Sequence, residues 1–254
     1  MFDPKVSVLM SVYNGEPYLS EAINSILSQT YSNFEFIIID DGSTDSSTDV
    51  INSFDDRRII LVENEGNMGL TKSLNKGLDL CRGEYIARMD ADDVSLPLRI
   101  EKQVKFMDKN RRIGICGTMN KPYVNNGEGM SRNPLEHEAI HCMLLFHNVF
   151  DHSTLMMSKK KLLENNLRYN ETFKYCQDYE LISRSATLFK LANLDEALLL
   201  TRKHSDQTAY KNKFEQNYNT RLIQERQLKE LGIKPRSIDL DLHNNVIIMQ
   251  LSAE

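Results

Sequence analysis

Three aspartates within four positions, Asp90, Asp92 and Asp93, are the residues whose type and spacing point most directly to chemistry. Their charges repel one another, so the cluster either faces water in a solvated turn or shares a cation. Carboxylate oxygens suit Mg²⁺ or Mn²⁺, and Mg²⁺ commonly takes one or two protein carboxylates and further ligands from substrate phosphates. The cluster therefore predicts a site for a metal-bound diphosphate, with a solvated turn as the alternative.

A second acidic pair, Asp40 and Asp41, stands in the same kind of position. It ends the apolar segment "FEFIIIDDGS", as the aspartate cluster ends the segment "GEYIARMDADD". Near-continuous apolar runs of this length are typical of strands in a parallel sheet that is covered on both faces. In such sheets ligands bind in the crevice beyond the carboxyl ends of the strands, so we expect both acidic turns to border one site.

The elements that must position these turns alternate between strand and helix through the first hundred or so residues. The patterns predict strands at "KVSVLMSVYN", "FEFIIIDDGS", "RIILVEN" and "GEYIARMDADD", with helices at "EPYLSEAINSILSQTY", "STDSSTDVINSF" and "GLTKSLNKGLDLC". This alternation predicts a parallel sheet built from βαβ units.

The second half of the chain has a less regular pattern. We predict a strand at "STLMMS", a turn entering a helix at "FKYCQDYELISRSATL", and a strand pair or a strand and turn at "KLANLDEALLLTRKH". The stretch "EHEAIHCMLLFHNVFDH" is mixed. A polar helix is predicted after "HSDQTA", through about Gly232.

Composition excludes several classes of protein. The chain has 254 residues, with 31 Lys+Arg against 36 Asp+Glu and a net charge of -5, so no basic field would attract nucleic acid. The four cysteines form no CxxC pair, which favours reduced thiols over a zinc site or a disulfide scaffold. No apolar run approaches the roughly 20 residues of a membrane-spanning helix. We expect a cytoplasmic protein, with peripheral contact at the inner face of the membrane left open.

The pattern of the cluster also fits a different enzyme class. "YIARMDADDV" is an apolar strand followed by Asp-x-Asp, as in haloacid-dehalogenase-type phosphatases, where Asp90 would be the nucleophile and Asp92 the acid. That motif usually lies on the first strand, whereas three predicted strands precede it here. The sequence also has no later lysine followed by a paired acidic motif at a strand end.

An ordered series of segments resembles a known family. "VSVLMSVYNGEPYLSEAINSILSQTYSNFEFIIIDDGSTDSS", "NEGNMGLTKSLNKGL" and "GEYIARMDADDVSLPLRI", followed by "FDHSTLMMSKKKL", "QDYELISRSA" and "LLLTRKHSDQTA", are similar to family-2 inverting glycosyltransferases, including spore-coat-type and bacterial polysaccharide enzymes. The resemblance implies a GT-A fold, an α/β nucleotide-diphospho-sugar transferase fold with a mixed, mainly parallel sheet flanked by helices. It implies a transferase domain over residues 1–210, divided into a nucleotide-binding half (1–100) and an acceptor and catalytic half (101–210), with a C-terminal helical extension over residues 211–254.

The resemblance gives the residues that follow the first two strands a role in nucleotide binding. It places Ser11, Tyr13 and Asn14 at the nucleotide base, where the tyrosine ring can stack on uracil. It matches Asp41 to the acid that accepts a hydrogen bond from the uracil N–H. Asp40 is expected to hold the turn instead.

The resemblance also assigns contacts to the diphosphate and the ribose. Lys72 stands where many relatives carry arginine, and it would meet the base or the diphosphate as a point charge rather than a planar fork. Asp90, with the adjacent Ala91, matches the ribose and nucleotide contact. Asp92 matches the direct metal ligand, with Asp90 as a further one.

The catalytic base implied by the resemblance is Asp178. Relatives often have Glu-Asp at this position, so Gln177 departs from the pattern while the second acid is kept. An aspartate that caps the following helix is the alternative, and both roles are compatible.

Three further residues receive roles from the resemblance, and one pair is expected from the chemistry. His204 matches a metal ligand or diphosphate contact, and Asp151 and His152 match a segment on the acceptor and sugar side. Asp93 is expected to pair with Arg99 and orient the loop.

The implied reaction is metal-assisted, inverting transfer of a hexose from a donor such as a UDP-hexose or UDP-N-acetylhexosamine. The acceptor would be a hydroxyl of a saccharide or lipid-linked saccharide, in bacterial surface polysaccharide assembly. The phosphatase and a non-catalytic nucleotide-binding module remain as alternatives. The substitutions at Gln177 and Lys72 leave room for the latter, whereas the presence of Asp178 weighs against it.

Overall fold

A computed structural model describes residues 3–123, 130–204, 212–240 and 242–243. The predicted segment "HSDQTA" beyond His204 lies outside these residues, as does most of the predicted C-terminal tail. The strands are β1 (Val6–Val12), β2 (Phe34–Asp40), β3 (Ile59–Glu63), β4 (Tyr85–Asp90), β5 (Val94–Ser95), β6 (Ile113–Pro122), β7 (Met156–Ser158) and β8 (Lys190–Thr201). The helices are α1 (Glu16–Leu27), α2 (Ser47–Asn52), α3 (Leu70–Leu80), α4 (Arg99–Lys109), α5 (His137–Met143), α6 (Lys159–Glu164), α7 (Gln177–Ser185) and α8 (Lys213–Glu230), with a 3₁₀ turn at His152–Thr154.

The described strands form one sheet in the order β3-β2-β1-β4-β7-β6-β8-β5. The strands β3, β2, β1 and β4 are parallel, β7 is antiparallel to both of its neighbours, and β5 is antiparallel to β8. The predicted mixed, mainly parallel sheet flanked by helices is therefore confirmed. Its register sets Val12 beside Asp40 and Ser11 beside Asp90, so the acidic turns meet at one edge as expected.

The first two strands are buried along their whole length because both faces of the sheet are covered. Alternate residues enter opposite cores, as the two-residue period of a strand requires. Leu9 and Ile37 pack with Leu74 of α3 on one face. On the other face, Val8 packs with Ile23 of α1, in the apolar stripe that the helical spacing predicted.

The segment "KLANLDEALLLTRKH" forms one long strand rather than a strand pair or a strand and turn. Its pairing with β6 passes from Leu194 opposite Thr118 directly to Ala197 opposite Met119. Asp195 and Glu196 are the two extra residues, and both are exposed. A bulge thus absorbs the polar pair that resembled a turn in the sequence.

The predicted polar helix after β8 is present as α8, and the mixed stretch before β7 contains α5. Buried glutamines attach α8 to the segment that follows α5, since Gln224 Nε2 donates to the Phe146 carbonyl at 2.6 Å and Gln227 Nε2 to the Leu144 carbonyl at 2.8 Å. The proposed division into domains stays a prediction. None of the described helices is long and apolar enough to cross a membrane. All four cysteines are unpaired.

Candidate active site

The aspartate cluster lies at the carboxyl edge of the sheet, between the end of β4 and the start of β5. One carboxylate oxygen from each of Asp90, Asp92 and Asp93 can be chosen so that all three lie within 4.8 Å of one another. Asp93 is buried, while Asp90 and Asp92 are partly exposed. Three carboxylates at this separation form a compact set of oxygen ligands with one side open to solvent.

Asp90 is held by a buried arginine and a serine. Arg88, 1% exposed, ion-pairs through Nη1 with Asp90 Oδ2 and also donates to Ser153 Oγ at 3.0 Å. Ser153 Oγ donates to Asp90 Oδ2 at 2.6 Å and accepts from the Asp90 backbone N–H at 3.1 Å. Burial alone would raise the pKa of Asp90, but the attraction of Arg88 outweighs it and holds the pKa below its usual range. Asp90 is thus a fixed, ionised carboxylate.

The expected pairing of Asp93 with Arg99 is wrong. Arg99 is the first residue of α4, and its buried guanidinium donates from Nη2 to the Arg88 carbonyl at 2.7 Å and from Nε to Gln103 Oε1 at 3.1 Å. It lies beneath β4, where the backbone carbonyls are its nearest acceptors. Asp93 instead accepts a hydrogen bond from the Arg202 backbone N–H at 3.1 Å.

Of the three carboxylates in the cluster, Asp93 has the environment that is least favourable to a negative charge. It is 6% exposed, and burial together with the charges of Asp90 and Asp92 raises its pKa to about 7. A bound cation would relieve this repulsion directly. The electrostatics of the cluster therefore fit a divalent metal ion.

His204 approaches the cluster from the segment that follows β8. Its Nε2 lies 3.0 Å from Asp92 Oδ2, and its ring lies 4.8 Å from that of Tyr18, centroid to centroid. The structure therefore places His204 beside Asp92, and Asp92 beside Asp90, the three residues that were assigned to the metal on resemblance. The geometry is compatible with the role of His204 as a further ligand, which stays a prediction.

Asp178 is the second residue of α7, and the left-handed Cys176 (φ 59°) precedes the helix. Asn148 Nδ2 donates to Asp178 Oδ2 at 2.8 Å. Burial raises the pKa of Asp178, and the nearby charge of Asp90 acts in the same direction, although backbone N–H groups and Arg88 oppose it. A carboxylate in this setting is more basic than one in water, as a general base requires.

The predicted acceptor-side pair lies close to Asp178. Burial and the charge of Asp178 raise the pKa of Asp151 to about 6. His152 begins the 3₁₀ turn, and its Nε2 lies 2.8 Å from the Tyr169 hydroxyl oxygen. Burial, with a further effect from Arg88, lowers the pKa of His152 well below its usual value, so this ring is neutral.

Of the residues assigned to the nucleotide base, Tyr13 and Asn14 occupy the turn after β1, whereas Ser11 lies within β1. Tyr13 is 48% exposed, so its ring is available for stacking and is not a packed core aromatic. Asn14 is left-handed (φ 52°), and it ties the turn to the next one by accepting from the Thr44 backbone N–H at 2.8 Å and donating its own N–H to Ser43 Oγ at 3.0 Å. Ser11 is nearly buried beside Asp90.

Asp41 is more completely bound within the protein than the resemblance suggested. Its Oδ1 accepts from Asn64 Nδ2 at 2.8 Å, from the Met68 backbone N–H at 2.9 Å and from Ser73 Oγ at 2.8 Å. Its Oδ2 accepts from the Gly69 backbone N–H at 2.9 Å. The carboxylate, which is 2% exposed, therefore organises the loop that leads into α3.

The neighbouring Asp40 holds its own turn as expected, accepting from the Ser43 backbone N–H at 2.9 Å and from Thr48 Oγ1 at 2.5 Å. Lys72 is exposed in the first turn of α3 and makes no hydrogen bond or ion pair with the described residues. Its ammonium group is therefore available to an anionic ligand.

Sequence reasoning missed several residues that support the site. Arg88 could have been found, because it lies two positions before Asp90 on a strand and therefore on the same face. Ser153 and Asn148 carry no local signal. Their partners are 63 and 30 residues away, respectively, in the chain.

Three comparisons with known proteins agree with this arrangement. Residues 7–185 match the family model described as "Glycosyl transferase family 2". An uncharacterized glycosyltransferase of Haemophilus influenzae is 35% identical over 98% of this chain and 80% of its own length. The O-antigen biosynthesis glycosyltransferase WbnJ of Escherichia coli is 35% identical over 80% of this chain and 81% of its own.

The fold is also similar to a solved structure. The structure of S. aureus TarS in complex with UDP-GlcNAc has a TM-score of 0.74 and 21% identity, and the match covers 94% of this chain and 70% of that one. This likeness confirms the predicted GT-A fold.

Proposed function

Because this chain belongs to glycosyl transferase family 2, we propose that it catalyses inverting transfer of a hexose from a nucleotide-diphospho-sugar to a hydroxyl of a saccharide or lipid-linked saccharide. The expected donor is UDP-linked, a UDP-hexose or UDP-N-acetylhexosamine. One observation carries the proposal: Asp178 lies close enough to the acidic cluster for the charge of Asp90 to raise its pKa. Asn148 donates a hydrogen bond to Asp178, and Arg88 forms an ion pair with Asp90.

The family match overturns the phosphatase alternative. It covers Asp90 and Asp92 as part of a transferase domain that begins at residue 7. The cluster also follows the fourth strand in chain order rather than the first. Asp90, ion-paired and hydrogen-bonded at Oδ2, acts in binding and not as a nucleophile.

A divalent cation, Mn²⁺ or Mg²⁺, fits the cluster. Asp92 would hold it with Asp90, and His204 stands beside Asp92 as a further ligand. When bound, the ion supplies positive charge for the diphosphate leaving group. The protein contributes by fixing Asp90 through Arg88 and Ser153, so that one carboxylate oxygen keeps its direction.

The nucleotide binds across the turns that follow β1 and β2. The exposed ring of Tyr13 stacks on the base, while Ser11 and Asn14 shape the floor of this turn. Asp41 meets the base N–H. Lys72 approaches the base or the diphosphate as a point charge.

The chemical step uses Asp178 as the general base. The acceptor hydroxyl oxygen forms a bond to the anomeric carbon on the face opposite the diphosphate. The bond from that carbon to the diphosphate oxygen breaks, and the nucleoside diphosphate departs with the electron pair. The hydroxyl proton passes to Asp178. Asn148 holds the carboxylate through Oδ2, and Asp151 and His152 border the acceptor side.

The setting follows from the acceptor class. A saccharide or lipid-linked saccharide acceptor places the reaction in surface polysaccharide assembly, on the cytoplasmic side of a bacterial membrane. The name of the relative WbnJ refers to O-antigen biosynthesis, which supports this proposal.

Calorimetric titration with UDP, GDP, dTDP and CDP tests the donor site, each with Mn²⁺ and again with a chelator. We expect UDP to bind and its binding to depend on the metal. A donor-sugar screen with the nucleotide that binds then follows sugar transfer by mass spectrometry. Failure of all four nucleotides to bind contradicts the proposed function, and nucleotide binding without any transfer identifies a non-catalytic module.

A further inference from the structure

The segment that carries His204 lies beyond the sheet. The ladder of β8 ends at Thr201, paired with Pro122 of β6, so His204 lies three residues past the last strand pairing. The intervening Lys203 is exposed. The backbone of residues 202–204 does not by itself fix the His204 imidazole at 3.0 Å from Asp92 Oδ2, so another group must hold this segment.

Arg202 provides that hold through aromatic rings on two elements. Its guanidinium carbon lies 3.7 Å from the ring centroid of Tyr123, at the end of β6, and 5.0 Å from that of Tyr18, on α1. Its Nη2 ion-pairs with Glu21 Oε2. Glu21 Oε1 in turn accepts from the Tyr123 hydroxyl at 2.7 Å. We call Tyr18, Glu21, Tyr123 and Arg202 the arginine clamp.

Two contacts connect the arginine clamp to the acidic cluster. The Arg202 backbone N–H donates to Asp93 Oδ1 at 3.1 Å. Tyr18, which lies against the guanidinium, also lies against the ring of His204 at 4.8 Å. One side chain thus joins α1 to the segments that follow β6 and β8, and Tyr18, which it contacts, also contacts the histidine that faces Asp92.

We propose that Arg202 is a positioning residue, and that the arginine clamp holds His204 at the metal-dependent donor site. This inference rests on the proposed function and adds to it a residue that acts through His204. The planar guanidinium matters most, since the ion pair with Glu21, whose side chain is 47% exposed, is weak by itself. A lysine at position 202 would keep the positive charge, but its ammonium group is not planar and cannot stack between the rings of Tyr18 and Tyr123.

The test compares Arg202→Lys, His204→Ala and the double variant by calorimetric titration of UDP in the presence of Mn²⁺. Loss of an outer partner of a metal site typically weakens it by about tenfold or more, so we expect Arg202→Lys to raise the Kd of UDP by about tenfold. In the His204→Ala background the same substitution should change the Kd little, because its effect passes through the histidine.

The matched control is Arg58→Lys. Arg58 also lies over an aromatic ring, with its guanidinium carbon 4.5 Å from the Phe34 centroid, and ion-pairs with Asp56 at 2.7 Å. It lies at the amino edge of the sheet, away from the cluster, so the Kd should be that of the wild type. Tyr123→Leu removes the ring at 3.7 Å instead of the arginine and should reproduce the effect of Arg202→Lys. Melting curves verify that each variant is folded.

A ligand-free measurement separates this inference from the proposed function. The imidazole resonances of His204, identified by their loss in His204→Ala, should shift in Arg202→Lys and not in Arg58→Lys. Absence of that shift, a wild-type Kd in Arg202→Lys, or an equal loss with and without His204 overturns the positioning role. Failure of the wild-type protein to bind any nucleoside diphosphate, with the shift present, contradicts only the proposed function.

Discussion

At the scale of single residues, the carboxylates of the site lie in different electrostatic environments, which shift their pKa values in opposite directions. Asp90 is ionised because Arg88 outweighs its burial, whereas burial and the charge of Asp90 raise the pKa of Asp178. Environments that separate the pKa values of nearby acids are typical of sites in which one binds and another moves a proton. We therefore propose that the same residue type performs two functions here.

The first prediction concerns these two functions. Asp178→Asn keeps the shape of the side chain but cannot accept the acceptor proton, so transfer should fall by about a hundredfold to ten-thousandfold. Single-turnover transfer and UDP calorimetry on the same preparation measure the two properties, and the UDP affinity should stay near that of the wild type. Equal loss of UDP binding would contradict the role of base.

The second prediction concerns Asp92. Asp92→Ala should raise the Kd of UDP in Mn²⁺ by at least about tenfold, because it removes the assigned metal ligand and the partner of His204. In the presence of a chelator, the variant and the wild type should bind UDP equally weakly. A wild-type Mn²⁺ dependence in the variant would exclude Asp92 as a ligand.

The third prediction concerns pH. Asp178 must be ionised to act, so transfer should rise with pH through its raised pKa and then level off. Asn148 donates a hydrogen bond to the charged carboxylate of Asp178, so Asn148→Ala should raise the pKa of Asp178 further. The rising limb of the kcat profile should then move to higher pH by about one pH unit. A profile of kcat against pH for both proteins measures this, with Asn165→Ala, a surface change, as the control. An unmoved or lowered limb would show that Asn148 does not act on the ionised base.

At the scale of elements, the site lies on turns between strands and helices, and the turn that contains Gly42 is closely packed against a neighbouring loop. Gly42 has φ 74°, and a Cβ there would lie 2.6 Å from backbone atoms of Gly66. The turn after β2 and the loop before α3 are therefore in direct contact, and the bonds of Asp41 to that loop add to this contact.

The fourth prediction tests this contact. Gly42→Ala should lower the free energy of unfolding by about 2 kcal/mol, because it combines an unfavourable left-handed φ with a clash against backbone. It should also weaken UDP binding, since the loop bonded to Asp41 must shift. Gly66→Ala is the matched control, because nothing lies within 4 Å of its added Cβ and it should be nearly neutral. Urea denaturation and UDP calorimetry measure both effects, and equal stability of the two variants would contradict the argument.

At the scale of the whole molecule, the parallel strands bring distant turns to one edge, and the resulting charge must be compensated. Arg88 compensates the charge of Asp90, whereas burial and the charges of Asp90 and Asp92 raise the pKa of Asp93 to about 7. We propose that a bound cation compensates the remaining charge of the cluster.

The fifth prediction follows from this compensation. Mn²⁺ should raise the melting temperature of the ligand-free protein at about pH 8, and UDP added with Mn²⁺ should raise it further, because ligands that bind only the native state stabilise it by mass action. Asp92→Ala should show little response to either. Differential scanning calorimetry measures these shifts, and an equal response in wild type and variant would place the ion elsewhere.

The sequence by itself determined the elements of the first hundred or so residues and the place of the acidic turns. The near-continuous apolar run "FEFIII" and the stripe of α1, with its period of 3.6 residues, are local patterns that can be read without any tertiary contact. The order of motifs also predicted the family and the GT-A fold, and both are confirmed.

Only the tertiary structure decided how the carboxylates are held. The bond of Ser153 to Asp90 joins residues 63 positions apart, and that of Arg202 to Asp93 joins residues 109 apart. The two-residue bulge of β8 and the binding of Arg99 to backbone carbonyls, in place of Asp93, likewise depend on neighbours from other elements. The physical reason is that hydrogen bonds, ion pairs and ring contacts depend on distance in space, whereas a sequence pattern records only periodicity along the chain.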